Sequence, residues 1–317
     1  MAIDVHAHAV IPDYHELLTE LGVGVPGYGG RHSGLRSGRP DQRITHMQEA
    51  SVSRQLLSAM VAPYLPDESA AVRAARWINE AHAAMAADHP DRLAAYAALP
   101  LPHIDAALAE LEYCLDTLGM IGIALHCACL DESVVAERFD PLYAELDRRG
   151  SVVFFHPSVN GLCSPLLTGW GLAATAGAVF EDTTVALHLI ARRIPQRYPN
   201  ITFIVPHLGG ALPMLLSRLD NQLGLSTPGL PEKPSVTARR FYYDTVAHGS
   251  HAALRCAVDV FGHDRLLAGS DYPVLLPFET YAETIGYVRD AGLTEPAVRN
   301  ILTANAVRVF GSWIGKD

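Results

Sequence analysis

Five residues combine a metal-binding or acid/base side chain with an informative position in the sequence. His6 and His8 close the first apolar run two residues apart, so an extended backbone puts both imidazoles on one face. His156 closes a later run in Phe155-His156-Pro157, His207 follows another in Pro206-His207-Leu208-Gly209-Gly210, and Asp271 stands in Gly269-Ser270-Asp271-Tyr272-Pro273. His6, His8, His156 and Asp271 make an N,N,N,O donor set suited to zinc or another divalent transition metal. A catalytic site keeps a coordination position open, and a metal there lowers the pKa of a bound water towards ~7. His207 then reads as a general acid/base poised near neutral pH, with adjacent glycines that let a substrate approach the backbone.

Eight short apolar runs could position these residues, at Ile3–His8, Arg54–Val61, Arg92–Leu99, Ile121–His126, Val152–His156, Ile201–His207, Phe241–Val246 and Leu266–Ser270. Their length and β-branched content suit parallel strands covered on both faces. Stretches with helical character separate them: Glu68–Asp88, Ile104–Leu118, Phe139–Arg149, Phe180–Tyr198, Ala211–Leu223, Ser250–Phe261 and Phe278–Ala291, with Glu295–Phe310 closing the chain. Eight strand–helix repeats are the count of a (β/α)8 TIM-like barrel, expected as one domain over residues 1–317. Such barrels gather their chemistry at the C-terminal ends of the strands, where all five residues then fall.

His126 and Asp244 fall there too. His126 reads equally as a substrate contact or a packed residue, and Asp244 as a partner that orients a histidine or as purely structural. Asp4 reads as a buried hydrogen-bond partner, and His248 and His251 as residues of a loop surface. One glycine-rich segment near 22–40 interrupts the rhythm and carries Arg31, Arg36 and Arg39. It lacks the spacing of a nucleotide phosphate cradle. It is either a plain connection or a lid that brings an arginine, Arg36 for example, to a bound carboxylate, which a guanidinium fork fits well.

Composition narrows the partners. Lys+Arg number 24 against Asp+Glu 34, a net charge of −10, which argues against a phosphate-backbone binder and so against nucleic acid. No apolar run approaches the ~20 residues of a membrane span. The start, Met1-Ala2-Ile3-Asp4-Val5-His6, lacks the basic and apolar regions of a signal peptide, so a cytoplasmic location is expected. The five cysteines are scattered without a CxxC pair and are expected as reduced thiols.

At the residues singled out above, the sequence resembles the amidohydrolase superfamily, specifically its amidohydrolase 2 branch, which holds decarboxylases of aromatic and unsaturated acids. The resemblance rests on His6-Ala7-His8, Phe155-His156-Pro157, Pro206-His207-Leu208-Gly209-Gly210 and Gly269-Ser270-Asp271-Tyr272-Pro273, in that order. It extends to Tyr96-Ala97-Ala98-Leu99-Pro100-Leu101-Pro102 and to Asn305-Ala306. It implies His6, His8, His156 and Asp271 as ligands of one divalent ion, zinc first and manganese as the alternative, with His207 as the catalytic histidine assisted by Asp271. Trp170, fourteen residues past His156, matches a pocket tryptophan of the branch's semialdehyde decarboxylase, or else is an ordinary packed aromatic. That enzyme takes a substrate arginine from its partner subunit, nineteen residues after the catalytic histidine. Here that position is Ser226, unless a gap moves Arg218 or Arg239 into the role. Losing one carboxylate clamp disfavours a dicarboxylate and favours a monocarboxylate such as a hydroxybenzoate. The resemblance thus implies metal-dependent non-oxidative decarboxylation of a small (hydroxy)aromatic or unsaturated carboxylic acid, by a homodimer as relatives commonly form. The same site would equally serve a hydrolase or a hydratase.

Overall fold

The computed structural model describes residues 1–23 and 40–314, so Arg31, Arg36 and Arg39 lie outside the described residues. Eight strands run in parallel: β1 (Ala2–His8), β2 (Val52–Ser58), β3 (Leu93–Ala98), β4 (Gly122–His126), β5 (Val152–His156), β6 (Thr202–Val205), β7 (Tyr242–Asp244) and β8 (Leu266–Leu267). Each pairs with the next. The chain beyond β8 then returns to β1, where Val5 N–H donates to Ala268 O at 2.9 Å and His8 N–H to Tyr272 O at 2.6 Å. The sheet is a nearly closed barrel with helices between its strands, the expected (β/α)8 architecture.

Each strand falls within or close to the run that forecast it. β6 stops at Val205 because Pro206 follows, which has no N–H to offer a ladder. The regular part of β8 is only two residues long, since the chain turns at Asp271, whose φ is +56°. The helix Glu68–Asp88 forms as forecast, and Gly150 in the left-handed region ends Asp140–Arg149. The stretch Glu295–Phe310 instead divides into Glu295–Arg299, a wide turn at 300–304, and Asn305–Ile314. Four helices had no forecast: Pro12–Glu20, Pro40–Glu49, Pro165–Thr168 and Pro234–Ala238. Each begins at a proline, whose missing N–H costs nothing in a first turn.

Two apolar layers hold the barrel. The outer one lies between strands and helices and takes residues such as Leu57, Leu125, Phe155 and Val205. The inner one fills the barrel with Ile3, Val5, Leu56, Tyr96, Phe154 and Ile204, and its floor is closed by Ala306 and Phe310 of the last helix. The rings climb in contact: Phe310 meets Tyr96 at 6.2 Å, Tyr96 stacks on Phe154 at 5.1 Å, and Phe154 meets the edge of His6 at 4.9 Å. Among the described residues, no helix is long and apolar enough to cross a membrane.

Phe154 has no solvent exposure and stands midway in this column, whereas Phe180 is 44 % exposed. Phe154→Ala is therefore expected to destabilise the protein by about 3–5 kcal/mol and Phe180→Ala by less than about 1 kcal/mol, compared by urea unfolding.

Candidate active site

β1 delivers two histidines through an irregularity. Ile3 and Val5 face the inner layer while Ala2 and Ala7 face the outer one. Strict alternation would turn His6 outward, but the pairing of β1 with β2 shifts between Asp4 and Ala7. Beyond the shift, His6 and His8 both meet His156, at ring separations of 5.5 and 4.6 Å.

The Nε2 atoms of His6 and His8 lie 3.3 Å apart, and Asp271 Oδ1 is 3.4 Å from the first and 3.0 Å from the second. With His156 included, one ligand atom from each of the four residues lies within 4.8 Å of all the others. What turns the Nε2 atoms inward is visible at the far side of each ring. His6 Nδ1 donates to Asp244 Oδ2 at 2.7 Å, His8 Nδ1 to Ser58 Oγ at 2.9 Å, and His156 Nδ1 to Pro157 O at 2.9 Å. A histidine tied in this way presents its Nε2 lone pair to an ion.

The electrostatics express the same demand for positive charge. Burial holds His8 below and His156 well below the ordinary imidazole value. Burial alone would also lower His6, but Asp244 and Asp271 reverse it and lift His6 to about 9. Asp271, despite burial, is held well below the usual carboxylate range by His207 and His6. Left to themselves the four groups draw in a proton. A divalent cation answers that demand better, and the 3.0–3.4 Å spacings suit it. A tetrahedral ion with ~2.0–2.1 Å bonds has edges of about 3.3 Å.

His207 stands beside this group, with Nε2 4.0 Å from Asp271 Oδ2. Its Nδ1 donates to Asp182 Oδ2 at 2.8 Å, and its backbone N–H to Asp244 Oδ1 at 3.0 Å. Burial opposes its protonation, but the Asp182 carboxylate keeps its pKa well above the ordinary value. The turn that presents it is left-handed from His207 through Gly210, with φ between +51° and +75°. A Cβ on Gly209 would strike the Tyr243 ring, and one on Gly210 the Val179 carbonyl and Thr183 hydroxyl. The two glycines were expected to open the backbone to substrate. Gly210 does border the cavity, but what forbids a side chain at these positions is the close approach of neighbouring protein.

A cavity of about 970 Å³ opens over the site. His156, His207 and Asp271 form its chemical end, and Met60, Val246, Leu275 and Phe278 are among its apolar walls. His126 does not line it. That ring packs on His156 at 4.9 Å, its Nε2 donates to Ala59 O at 3.4 Å, and burial lowers its pKa to about 4. Trp170 is 78 % exposed and does not line the cavity either, although Gly171 beside it does. Neither Arg218 nor Arg239 lines the cavity; Arg239 donates instead to Val260 O.

Asp4, as read from the sequence, is a hub: it accepts from Ser270 Oγ and Tyr281 OH at 2.6 Å, from Gln55 Nε2 at 3.0 Å, and from the backbone of His6 and Ser270. The helix Ala178–Ala191 falls in the forecast stretch Phe180–Tyr198, but sequence reasoning missed the role of its acids. Asp182 there anchors His207, and Glu181 accepts from the backbone N–H groups of Ser158, Val159 and Gly161 beside His156. Both carboxylates are buried. Two adjacent acids in an apolar helical stretch were the signal available.

The His6–Asp244 bond yields the first test of the donor set. Asp244→Asn keeps the shape but weakens the hold on His6 Nδ1, so metal affinity should fall by about 10–100-fold, read by competition with a chromogenic chelator. An unchanged affinity would count against His6 as a ligand.

A family model described as amidohydrolase matches residues 3–312. The 6-methylsalicylic acid decarboxylase of Penicillium expansum is 29 % identical over 97 % of this chain and 95 % of its own length. A solved 2,6-dihydroxybenzoate decarboxylase, complexed with 2,6-dihydroxybenzoate, superposes with a TM-score of 0.84 at 25 % identity, covering 98 % of this chain and 100 % of the other. A dihydroxybenzoic acid decarboxylase from Polaromonas sp. JS666, solved with bound manganese and the inhibitor 2-nitroresorcinol, superposes with a TM-score of 0.83 at 22 % identity over 98 % and 97 % of the two chains. With the ordered motifs and the barrel that carries them, this match over nearly the whole length settles the lineage: the chain belongs to the amidohydrolase family.

Proposed function

We propose that this protein is a metal-dependent decarboxylase of a small, hydroxylated aromatic monocarboxylic acid. The observation that carries the reading is His207, an imidazole anchored by Asp182 and placed on the cavity beside the four-residue donor cluster. Named relatives that act on benzoic acids tip the choice from hydrolysis to decarboxylation. His6, His8, His156 and Asp271 would hold one divalent ion. Zinc fits their nitrogen-rich set, and manganese is the ion in a structural neighbour. When bound, the ion supplies Lewis-acid polarisation of the substrate's oxygen atoms.

The chain's own groups do the rest. His207 holds its Nδ1–H on Asp182 and delivers the Nε2 proton to the ring carbon that bears the carboxylate. The bond from that carbon to the carboxylate then breaks, its electron pair returns to the ring, and carbon dioxide leaves. One proton enters and one carbon dioxide departs, so no oxidant is needed. Asp271, 4.0 Å from His207 Nε2, steadies the imidazolium before transfer. The apolar walls exclude water and favour the loss of charge as a carboxylate becomes a neutral gas.

The homodimer is supported by large apolar side chains left exposed on and beside the loops around the cavity: Leu166, Trp170, Met214 and Phe278 are each 70–79 % exposed.

Three measurements bear on this reading. Carbon dioxide release from a panel of hydroxybenzoates should require about one divalent ion per chain and stop on chelation. His207→Ala should keep the metal while cutting turnover by at least about 100-fold; loss of the metal would make His207 a ligand instead. Sedimentation at micromolar concentration should give a dimer, and a monomer would remove that part of the proposal.

A further inference from the structure

Most of the cavity wall away from the donor cluster is apolar, and one imidazole interrupts it. Among the described residues that line the cavity, no arginine or lysine is found, and beyond His156, His207 and Asp271 the only other histidine is His248. It sits in the loop after β7, and Glu279 sits in the loop after β8, so adjacent strands bring the two together. His248 Nδ1 lies 3.2 Å from Glu279 Oε1, with the glutamate side chain only 14 % exposed and the histidine 61 % exposed. Phe278, another lining residue, meets the His248 ring edge-on at 5.9 Å.

His248 is on the loop surface, as read from the sequence, but it is more restrained than such a position needs. The backbone at His248 is held at φ +47°, a conformation that non-glycine residues rarely adopt, and such strain persists only where the surroundings impose it. Burial pushes the Glu279 carboxyl upward and His248 opposes it, so the glutamate is a desolvated partner for the imidazole. Nδ1 is the ring atom nearer Glu279, in a charge contact that falls short of a hydrogen bond because Oε1 has no hydrogen-bond partner, and Nε2 is the atom left for a ligand.

We propose that His248, beside Glu279, binds a second polar substituent on the substrate's ring and so selects among hydroxybenzoates. A hydrogen-bonding group in a largely apolar wall is what fixes the orientation of a small aromatic ligand, and His248 is the imidazole there, with Thr175 and Cys256 as the other polar lining residues away from the donor cluster. Neutral, Nε2 accepts from a phenolic hydroxyl; protonated, it donates to a phenolate oxygen. The substrate class narrows accordingly to dihydroxybenzoates that place one hydroxyl at His248. This inference rests on the decarboxylase reading of the same site.

Calorimetric titration of the metal-loaded protein with 2-hydroxybenzoate and with 2,3-, 2,4- and 2,5-dihydroxybenzoate separates the two. The unaltered protein should bind one dihydroxy isomer more tightly than 2-hydroxybenzoate. His248→Ala should reduce that preference by about tenfold, and Glu279→Gln should reduce it less. Using the ratio of affinities removes any general loosening of the fold, and metal content is measured on the same samples. If the unaltered protein releases carbon dioxide from hydroxybenzoates but does not discriminate among the isomers, or if His248→Ala leaves the ratio unchanged, the assignment of His248 is wrong and the decarboxylase reading stands. If no probe binds and none is decarboxylated, both fall.

Discussion

The structure depends on the orientation of four imidazole rings. His6, His8, His156 and His207 share a buried volume in which unpaired nitrogen atoms would each cost free energy, and each ring has its Nδ1 tied to a different element of the barrel. Asp244 comes from β7, Ser58 from β2, the Pro157 carbonyl from the end of β5, and Asp182 from the helix Ala178–Ala191. With the outer nitrogen committed, the inner one has a single direction available. The site is thus formed by its surroundings before any ion or substrate arrives, and the ordering cost of binding is small.

Two further layers keep those partners in place. Around β1, Asp4 gathers five hydrogen bonds and ties Ser270, the residue before Asp271, to that strand, while Arg43 donates to Gln55 Oε1 and to the His8 carbonyl at 2.6 Å. A buried carboxylate and a buried guanidinium meet through the Gln55 amide, so neither is an isolated interior charge, although Arg43 Nε has no hydrogen-bond partner among the described residues. Below, the column of Phe310, Tyr96 and Phe154 supports His6 from the barrel floor. Even Gly269 is dictated from here, since a Cβ at that position would press on Asp244 and His6.

Much of this was legible in the sequence because barrel strands are short, apolar and end on their functional residues. The runs around Ile3–His8 and Val152–His156 located three of the four candidate ligands, and the turn motif at 269–273 located the fourth. The residues that orient the histidines were harder to see. Asp244 was visible as a polar residue at a strand end, but its partner could not be named, because side chains 238 positions apart in the chain carry no local signature of their contact. Ser58 and Asp182 looked like ordinary members of a strand and a helix. His248 was read as loop surface and is 61 % exposed; what the sequence could not show is the carboxylate beside it, Glu279, thirty-one residues on. Trp170 shows the converse: its spacing from His156 was suggestive, yet a fixed count along a loop does not fix which way its residues face.

Glu181 and Asp182 are neighbours on one helix but hold different parts of the site, the first the loop after His156 and the second the ring of His207. A small slide or tilt of that helix therefore carries the loop after His156 and the ring of His207 together. The cavity's outline can drift over generations, as residues behind the helix change size, while the separation of the two chemical groups stays constant. A barrel built this way can reshape its pocket without moving His156 and His207 apart.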